Sequence, residues 1–377
     1  MKITLFAILY LFVINGVSAQ VLSLDSILHY VEINNSEFGV FDARIKAYNE
    51  YAKGATALDP PQVGAGFFMT PYNPSMWKSD AMTGTDGMGS FMISAQQMIT
   101  NRTKRNANAN YMSSMASVDS SMKNAMRNEM FAMVKMNYYD AMFMKKKLDV
   151  IKESEELMNY LIKSTELKYT YGLDKLNAYY KAKAMLGEVQ TMKLMFEQEL
   201  KQKIILLNTL MNRNKNEYFD IDTSYAIKEY ESVKTDSSII ATSRSDYNTL
   251  SNEINLLQAK SDFEYSKRLP DYGIKYDHMI PFGTLPQQYS LMLMVTIPIV
   301  PWSSKMYSAN VKGLHFEMEA IKEEQRSLVN NVEGNLENIK LQISNKKQQI
   351  NLTEKVVIPA MKNNYDTELL AYEQNTE

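Results

Sequence analysis

Methionine is the residue type of this chain that most directly suggests a chemistry. The 377 residues include 27 methionines, and more than half of them fall between Met69 and Met144. A thioether is a soft ligand that selects Cu(I), and by the same logic Ag(I), over hard cations. One group has the spacing that places side chains on a single helix surface: Met122, Met126, Met130 and Met133. This stripe is a candidate metal site, although methionines that only fill gaps between helices would have the same spacing.

A second group of methionines lies where no core is expected. The segment that follows Met69 is rich in Gly, Asn, Ser and Asp and is predicted to be a polar loop. Five methionines lie in or beside it: Met69, Met76, Met82, Met88 and Met92. Because a polar loop has little apolar surface to bury, packing explains these side chains less well than it explains the helical stripe.

Other chemistries lack the residues that they require. The chain has no cysteine, which excludes disulfides, zinc–thiolate sites and thiol catalysis. His29, His278 and His315 are scattered, and no histidine metal motif, glycine-rich phosphate loop or G-x-S-x-G turn occurs. The formal net charge of -2 leaves no basic excess, so nucleic acid is not an expected partner. We therefore predict a protein that is not an enzyme and holds no cofactor.

Residues 1–19 have the pattern of a secretory signal peptide. Lys2 precedes a short apolar run from Ile3 to Val13, and Val17-Ser18-Ala19 supplies the small residues of a cleavage site. The apolar run is too short to span a membrane. Cleavage before Gln20 leaves no cysteine to carry a lipid, so the sequence predicts an exported chain that is not a lipoprotein. A buried N-terminal helix is the alternative.

Two pairs of predicted strands interrupt an otherwise helical pattern, at about 61–70, 90–99, 271–280 and 288–298. From Tyr272 to Ile280, apolar residues alternate with polar ones or glycine. One face carries Ile274, Tyr276, His278 and Ile280, and the other carries Gly273, Lys275, Asp277 and Met279. This alternation is typical of strands in a transmembrane β-barrel. An ordinary hairpin of a soluble protein is the alternative.

The helical parts of the sequence are long. No proline or glycine occurs from Arg102 to Tyr169, which predicts a helix of roughly 100 Å at 1.5 Å per residue. Apolar residues recur along it at heptad spacing. The segment from Tyr171 to Asp174 ends this helix, with Gly172 suited to the residue after a helix C-terminus. A second helix returns, so the sequence predicts an antiparallel helical hairpin over about 102–212.

The two halves of the sequence resemble each other. Pro61 to Gly64 corresponds to Pro270 to Gly273, and each segment is followed by two strands and a long helix. We therefore predict a first repeat over 20–213, a linker or equatorial segment over 214–236 and a second repeat over 237–377. By comparison with the first repeat, we expect the second to stop near the tip of its own hairpin, as in a chain truncated at its C-terminus.

The predicted strands are too few to form a barrel alone. Four strands in lipid would expose unpaired backbone groups at both edges of the sheet. Other subunits must therefore complete the sheet, and three copies would supply twelve strands, although geometry alone does not fix that number. The predicted fold class is mainly α with a transmembrane β part: a duplicated helix–strand–strand–long helical hairpin, assembled as a trimeric β-barrel with a periplasmic α-helical coiled-coil tube.

This organisation resembles the TolC-type outer-membrane efflux family over essentially the whole chain after the signal peptide. Four segments carry the resemblance: Leu22–Leu28 ahead of Asn34-Asn35, Arg268–Gly273, Ile297–Trp302 and Tyr169–Leu173. The resemblance implies a homotrimer in the outer-membrane lipid of a Gram-negative bacterium, with a long periplasmic extension. Its implied partners are a periplasmic adaptor (membrane fusion) protein and an inner-membrane RND-type pump. Tyr171, Gly172 and Leu173 would form the adaptor-contact tip, with Asp174 close to the aperture.

Two methionine-rich segments, Met92–Met98 and Tyr111–Met115, resemble the heavy-metal (CusC-like) branch of that family. The resemblance implies the exit duct of a tripartite efflux system that exports copper, silver or related heavy-metal ions. Two alternatives stay open. The duct could carry drugs or a type I secreted polypeptide, or the chain could be a periplasmic coiled-coil protein without a transport function.

Overall fold

The computed structural model describes residues 21–82, 84–225 and 237–373. The predicted signal peptide lies outside the described residues. Among these residues, no helix is both long enough and apolar enough to cross a membrane. The chain falls into two compact units: the first comprises Met1–Gly39 and Met126–Ile227, and the second comprises Val40–Ala125 and Lys228–Glu377.

The first half of the sequence forms long helices and short strands. It contains strand β1 (Val21–Leu22), helices α1 (Leu24–Asn34) and α2 (Ser36–Gly54), strands β2 (Gln62–Phe68) and β3 (Ser90–Ile99), helices α3 (Arg102–Thr170) and α4 (Leu176–Leu210), and strand β4 (Asp220–Ile221). Helix α3 has 69 residues. Its length follows from a sequence without the two residue types that most often interrupt helices.

The second half repeats the order of two helices, two strands and a long helix. It contains helices α5 (Ser237–Ser243) and α6 (Ser245–Ser266), strands β5 (Asp271–Pro281) and β6 (Gln288–Thr296), and helices α7 (Pro301–Leu352) and α8 (Ile358–Glu373). A π-helical segment, Thr353–Val357, connects α7 to α8. Strand β6 ends before the predicted limit at residue 298, because Pro298 has no N–H group to donate to a neighbouring strand.

The core of the first unit is a cluster of apolar side chains from α1, α3, α4 and the short strands. Its fully buried members include Ile27, Val134, Leu207, Met211 and Phe219. Strands β1 and β4 pair in parallel. The Tyr138 hydroxyl lies 3.4 Å from the carbonyl oxygen of Leu22 and 3.2 Å from that of Asp222, so it connects the two chain segments that this pair brings together. Burial raises the pKa of Tyr138.

Part of the predicted linker over 214–236 belongs to this core. Phe219 and Ile221 are buried within it, and Lys145 Nζ donates a hydrogen bond of 2.6 Å to Asp220 Oδ1 between them. Residues 214–225 therefore pack as part of the folded unit, where the sequence predicted a polar connection. Residues 226–236 lie outside the described residues.

Three methionines of the predicted stripe lie in or against the same core. Met130 is buried in the cluster, and Met126 and Met133 pack against it. Met122 is half-buried in the second unit. Packing accounts for Met126, Met130 and Met133 without a metal ion, and metal binding by the stripe stays a prediction.

The second unit contains a four-stranded antiparallel sheet with the strand order β2-β3-β5-β6. Its central pair, β3 and β5, joins the two halves of the sequence, with Phe91 opposite Ile280 and Ile99 opposite Tyr272. In the same unit, helices α6 and α7 are held together by polar contacts such as the 2.9 Å hydrogen bond from Asn310 Nδ2 to Glu264 Oε2. The two predicted strand pairs therefore form one sheet.

The burial of Phe219 gives a test of the first unit's core. Replacing it with alanine should lower the free energy of unfolding by about 3–5 kcal/mol, because a large side chain leaves a cavity. Far-UV circular dichroism during denaturation of the purified protein measures this loss. The adjacent Tyr218 is 64% exposed, so Tyr218→Ala should change stability by no more than about 0.5 kcal/mol. Equal effects of the two substitutions would contradict the described packing.

Candidate functional site

One face of the four-stranded sheet is apolar and exposed. Alternate residues of each strand contribute its apolar members: Val63, Phe67, Phe91, Ile93, Ile99, Tyr272, Ile274, Tyr276, Ile280, Tyr289, Leu291, Leu293 and Val295. Gln97 and His278 lie on the same face. Leu293 is 79% exposed, and most of the other members are also exposed. A contiguous apolar surface of this kind marks a site of contact with another protein or with a membrane.

The opposite face is mixed in character and is called the polar face here. It carries Ser94, Gln96, Lys275, Asp277 and Ser290, together with Met92, Met98, Met279, Met292 and Met294. Asp277 is only 4% exposed, and Lys275 Nζ lies 3.0 Å from its Oδ1. The two charges balance each other. The pair lies at mid-strand, with Ser94 and Ser290 opposite Asp277 on the neighbouring strands.

The two outer strands of the sheet have one neighbour each. Within the described residues, β2 pairs only with β3, and β6 pairs only with β5. The outward N–H and C=O groups of β2 and β6 are therefore available to further strands.

The long β2–β3 loop is fastened to the short turn between β5 and β6. The Asp86 carboxylate accepts hydrogen bonds of 2.9 Å from the backbone N–H and the hydroxyl of Thr284, and one of 3.2 Å from the Ser79 hydroxyl. These bonds stabilise the charged form and hold the pKa of Asp86 below its ordinary value, the Thr284 N–H contributing most. Gly283 must be glycine, because a Cβ there would lie 2.6 Å from Asp86 Oδ1.

Aromatic rings cover the same end of the sheet. Trp77 of the loop stacks on Phe282 of the turn, with ring centroids 5.4 Å apart, and Phe67 contacts both rings. The indole N–H of Trp77 donates to the Pro71 carbonyl oxygen at 2.8 Å. Four methionines of this loop region are exposed: Met69, Met76, Met82 and Met88. The sequence predicted that these methionines do not pack in a core, and their exposure agrees with that prediction.

At the other end of the sheet, Asp271 joins strand β5 to the start of α3. Its carboxylate accepts a hydrogen bond of 2.8 Å from the Asn101 N–H and one of 2.7 Å from Lys104 Nζ. Asn101 in turn accepts from the Thr103 N–H at 2.9 Å, as an N-cap residue does. The sheet is thus anchored to the long helix by a half-buried ion pair.

In the first unit, the turn between α3 and α4 holds the residues predicted to contact an adaptor. Gly172 has φ +74°, and the N–H groups of Gly172 and Leu173 donate to the carbonyl oxygens of Tyr169 and Lys168 at 3.0 and 2.8 Å. This is the pattern by which a left-handed glycine ends a helix. The Tyr171 side chain is exposed, and Leu173 is 59% exposed. Asp174 Oδ1 accepts from the Lys175 N–H at 2.7 Å.

The side chains of Tyr171 and Leu173 are therefore exposed on a hydrogen-bonded turn. The structure brings Tyr171, Gly172, Leu173 and Asp174 together. The methionines of the sheet belong to the second unit. Among the described residues, no group of three or more histidines and carboxylates could hold a metal ion.

Comparison with solved structures relates this fold to outer-membrane channels. The outer-membrane channel OprN matches with a TM-score of 0.72 at 11% identity, over 94% of this chain and 81% of that one. The outer membrane protein VceC from Vibrio cholerae matches with a TM-score of 0.69 at 13% identity, over 93% of this chain and 86% of that one. CusC, studied for its folding and transmembrane channel formation, matches with a TM-score of 0.69 at 11% identity, over 94% and 83%.

These likenesses establish the fold, which is the mainly helical one of TolC-family outer-membrane channels. The match to CusC is no better than those to OprN and VceC, so the comparison does not single out a heavy-metal branch. No protein-family profile and no curated protein sequence matches the chain.

The contact of Asp86 with Thr284 predicts a loop that is released by acid. Because the pKa of Asp86 is lowered in the folded state, its carboxylate stabilises the loop above the ordinary aspartate pKa of about 3.9. That stabilisation is lost as the pH falls through the lowered value. In a Trp302→Phe background, the fluorescence of Trp77 should therefore change below about pH 4 as the ring leaves Phe282.

The variant Asp86→Asn should show the released fluorescence already at pH 7 and little further change in acid. Asp80→Asn is the matched control, because Asp80 lies in the same loop but accepts from the Met82 N–H of that loop. A Trp302→Phe protein whose fluorescence stays unchanged as the pH falls from 7 to well below the ordinary aspartate pKa of about 3.9 would contradict the proposed fastening.

Proposed function

We propose that this protein is the outer-membrane channel of a tripartite efflux system, an exit duct without catalysis. The observation that carries the proposal is the sheet of the second unit, with one exposed apolar face, one polar face and two open edges. In lipid, backbone groups at an open edge would have no partner. Further strands from other copies of the chain would supply those partners and close the sheet into a barrel.

A homotrimer is the assembly that we propose. Three copies would join β2 of one protomer to β6 of the next and give a barrel of twelve strands. The apolar face would contact outer-membrane lipid and the polar face would line the lumen. The likeness to the channels OprN and CusC supports this assembly at the level of fold.

The long helices then extend into the periplasm of a Gram-negative bacterium as a coiled-coil tube. We propose that the turn between α3 and α4 is the contact for a periplasmic adaptor, which connects the duct to an inner-membrane RND-type pump. Tyr171 and Leu173 offer the adaptor exposed apolar surface on a turn fixed by Gly172. Asp174 follows directly and is proposed to lie near the periplasmic aperture.

Channel formation can be measured on the purified protein. We expect outer-membrane fractionation, migration that shifts on heating, and single-channel conductance in planar lipid bilayers. Lys275→Gln should raise the preference for cations, because Asp277 then loses the ammonium 3.0 Å away. Lys53→Gln, an exposed lysine on α2, should leave selectivity unchanged. A protein that neither fractionates with the outer membrane nor conducts would overturn the proposal in favour of a periplasmic coiled-coil protein.

We further propose copper or silver as the exported ion. The exposed loop methionines and the methionines of the polar face are the support for this cargo, since thioethers prefer soft monovalent ions. Drugs and a type I secreted polypeptide are the alternative cargoes, because the pump behind a passive duct largely decides what enters it.

Deletion of the gene in its native host should raise cellular copper and silver, and restoration should reverse the rise while dye and antibiotic uptake stay unchanged. Leu173→Asp should fail to restore export although it reaches the outer membrane, because the charge disrupts the proposed adaptor contact. Leu285→Asp should restore export, since this leucine of the β5–β6 turn is similarly exposed, at 54%. Unchanged metal content would show that the duct carries another cargo. Export restored by Leu173→Asp would show that the turn between α3 and α4 is not the adaptor contact.

A further inference from the structure

The methionines of the sheet all lie on one face. The four strands contain five methionines, Met92, Met98, Met279, Met292 and Met294, and the strand register places every one of them on the polar face. The apolar face of the same described sheet is built from Leu, Ile, Val, Ala and aromatic residues together with Gln97 and His278, and it has no methionine. If methionine served only as an apolar filler in this sheet, the apolar face would contain it as well.

Two of these methionines are direct cross-strand partners. Met92 of β3 lies opposite Met279 of β5, so their Cβ atoms are about 4.5–5.5 Å apart. Gly66 occupies the neighbouring position on β2 and has no side chain to fill the space beside Met92. Both methionines are half-buried. Two flexible thioethers can therefore direct their sulfur atoms to one point on the polar face.

A second pair meets over a glycine. Gly273 of β5 lies between Met98 of β3 and Met294 of β6 in the register. The point that a Cβ of Gly273 would occupy lies 2.5 Å from Met98 Sδ and 3.1 Å from Met294 Cε. The two side chains thus lean from opposite sides into the space that the missing side chain leaves. Their thioether groups are therefore close neighbours.

The charges of the polar face separate the two pairs. Along β5 the order is Met279, Asp277, Lys275 and Gly273, so the pairs are about 20 Å apart at 3.3 Å per residue. Asp277 and Lys275 form the ion pair between them. The fifth methionine, Met292, lies opposite Lys275 and next to an ammonium that repels cations. The pairs themselves carry no charge.

We infer that the polar face carries two binding sites for a soft monovalent cation, one at Met92 and Met279 and one at Met98 and Met294. Two uncharged thioethers suit Cu(I) or Ag(I) and do not suit hard divalent ions, which prefer oxygen ligands. The use of these sites in export rests on the proposed function. The binding of the ion is a property of the sheet and can be measured separately.

Silver(I) is the appropriate probe, because it needs no reductant. Titration of the full-length chain in detergent, followed by isothermal calorimetry and by metal analysis after desalting, gives the number of ions bound. Met92→Leu/Met279→Leu and Met98→Leu/Met294→Leu should each bind one silver ion fewer per chain than the wild type. Met292→Leu is the matched control and should bind as the wild type does. Unchanged stoichiometry in both double variants overturns the inference.

Gly273→Ala tests the geometry without removing a sulfur. The new methyl group would occupy the space between Met98 and Met294 and push both flexible side chains apart. We expect silver affinity at this site to fall at least tenfold, while the Met92–Met279 site is unaffected. Wild-type affinity at both sites would remove the glycine-centred site from the inference.

Conductance of the same preparations separates this inference from the proposed function. Variants that conduct normally show that loss of silver binding reflects the site and not the fold. A protein that conducts but binds no silver on its polar face overturns the two sites and leaves the channel intact. A protein that binds silver at both sites but forms no channel supports the two sites and overturns the proposed function.

Discussion

Each backbone N–H and C=O group of a strand needs a partner, and lipid offers none. This constraint governs the second unit, because its sheet has an exposed apolar face and two strands that are paired on one side only. In water, exposing the apolar face costs free energy. In lipid, exposing the unpaired backbone groups of the edge strands costs free energy. A closed assembly of several copies satisfies both demands at once. In the barrel proposed above, the polar face, with its balanced Lys275 and Asp277, would line the lumen.

The sheet is also where the two halves of the chain become one structure. Its central pair takes one strand from each half. Contacts at both ends reinforce this pairing: Asp271 of the second half binds the start of α3, and Asp86 of the first half binds Thr284. A repeated element order therefore does not produce two independent sheets. It produces one four-stranded sheet to which both repeats contribute strands.

Much of this fold follows from local sequence patterns. The absence of proline and glycine gave the extent of α3, the alternation from Tyr272 to Ile280 gave both faces of β5, and Gly172 marked the end of a helix. These features depend on residues that are close in the chain, where period and backbone preference are informative. Pro298 likewise indicated the end of β6, although the strand ends at Thr296, two residues before that proline.

The remaining features depend on partners that are distant in the sequence. Phe219 lies in a polar segment, and nothing in its neighbours reveals that α1, α3 and α4 enclose it. The pairing of Met92 with Met279, and the convergence of Met98 and Met294 on Gly273, required the register between strands of different halves. The alternation had already placed Met279 on the polar face, but a face alone does not identify which side chains meet. The spacing of the helical stripe likewise did not show that Met126, Met130 and Met133 lie in or against the core of the first unit.

The central strand pair has a consequence for how the protein is made. Asn101 and Asp271 are 170 positions apart, so the bonds between β3 and β5 close a very large loop, whereas the contacts of α3 with α4 are nearer in sequence. Contacts between distant residues form slowly, because the entropy of closing the loop must be lost first. During synthesis, β2 and β3 must therefore wait, with their apolar side chains exposed, until β5 and β6 have followed. The complete four-stranded sheet therefore cannot form until both halves of the chain are present.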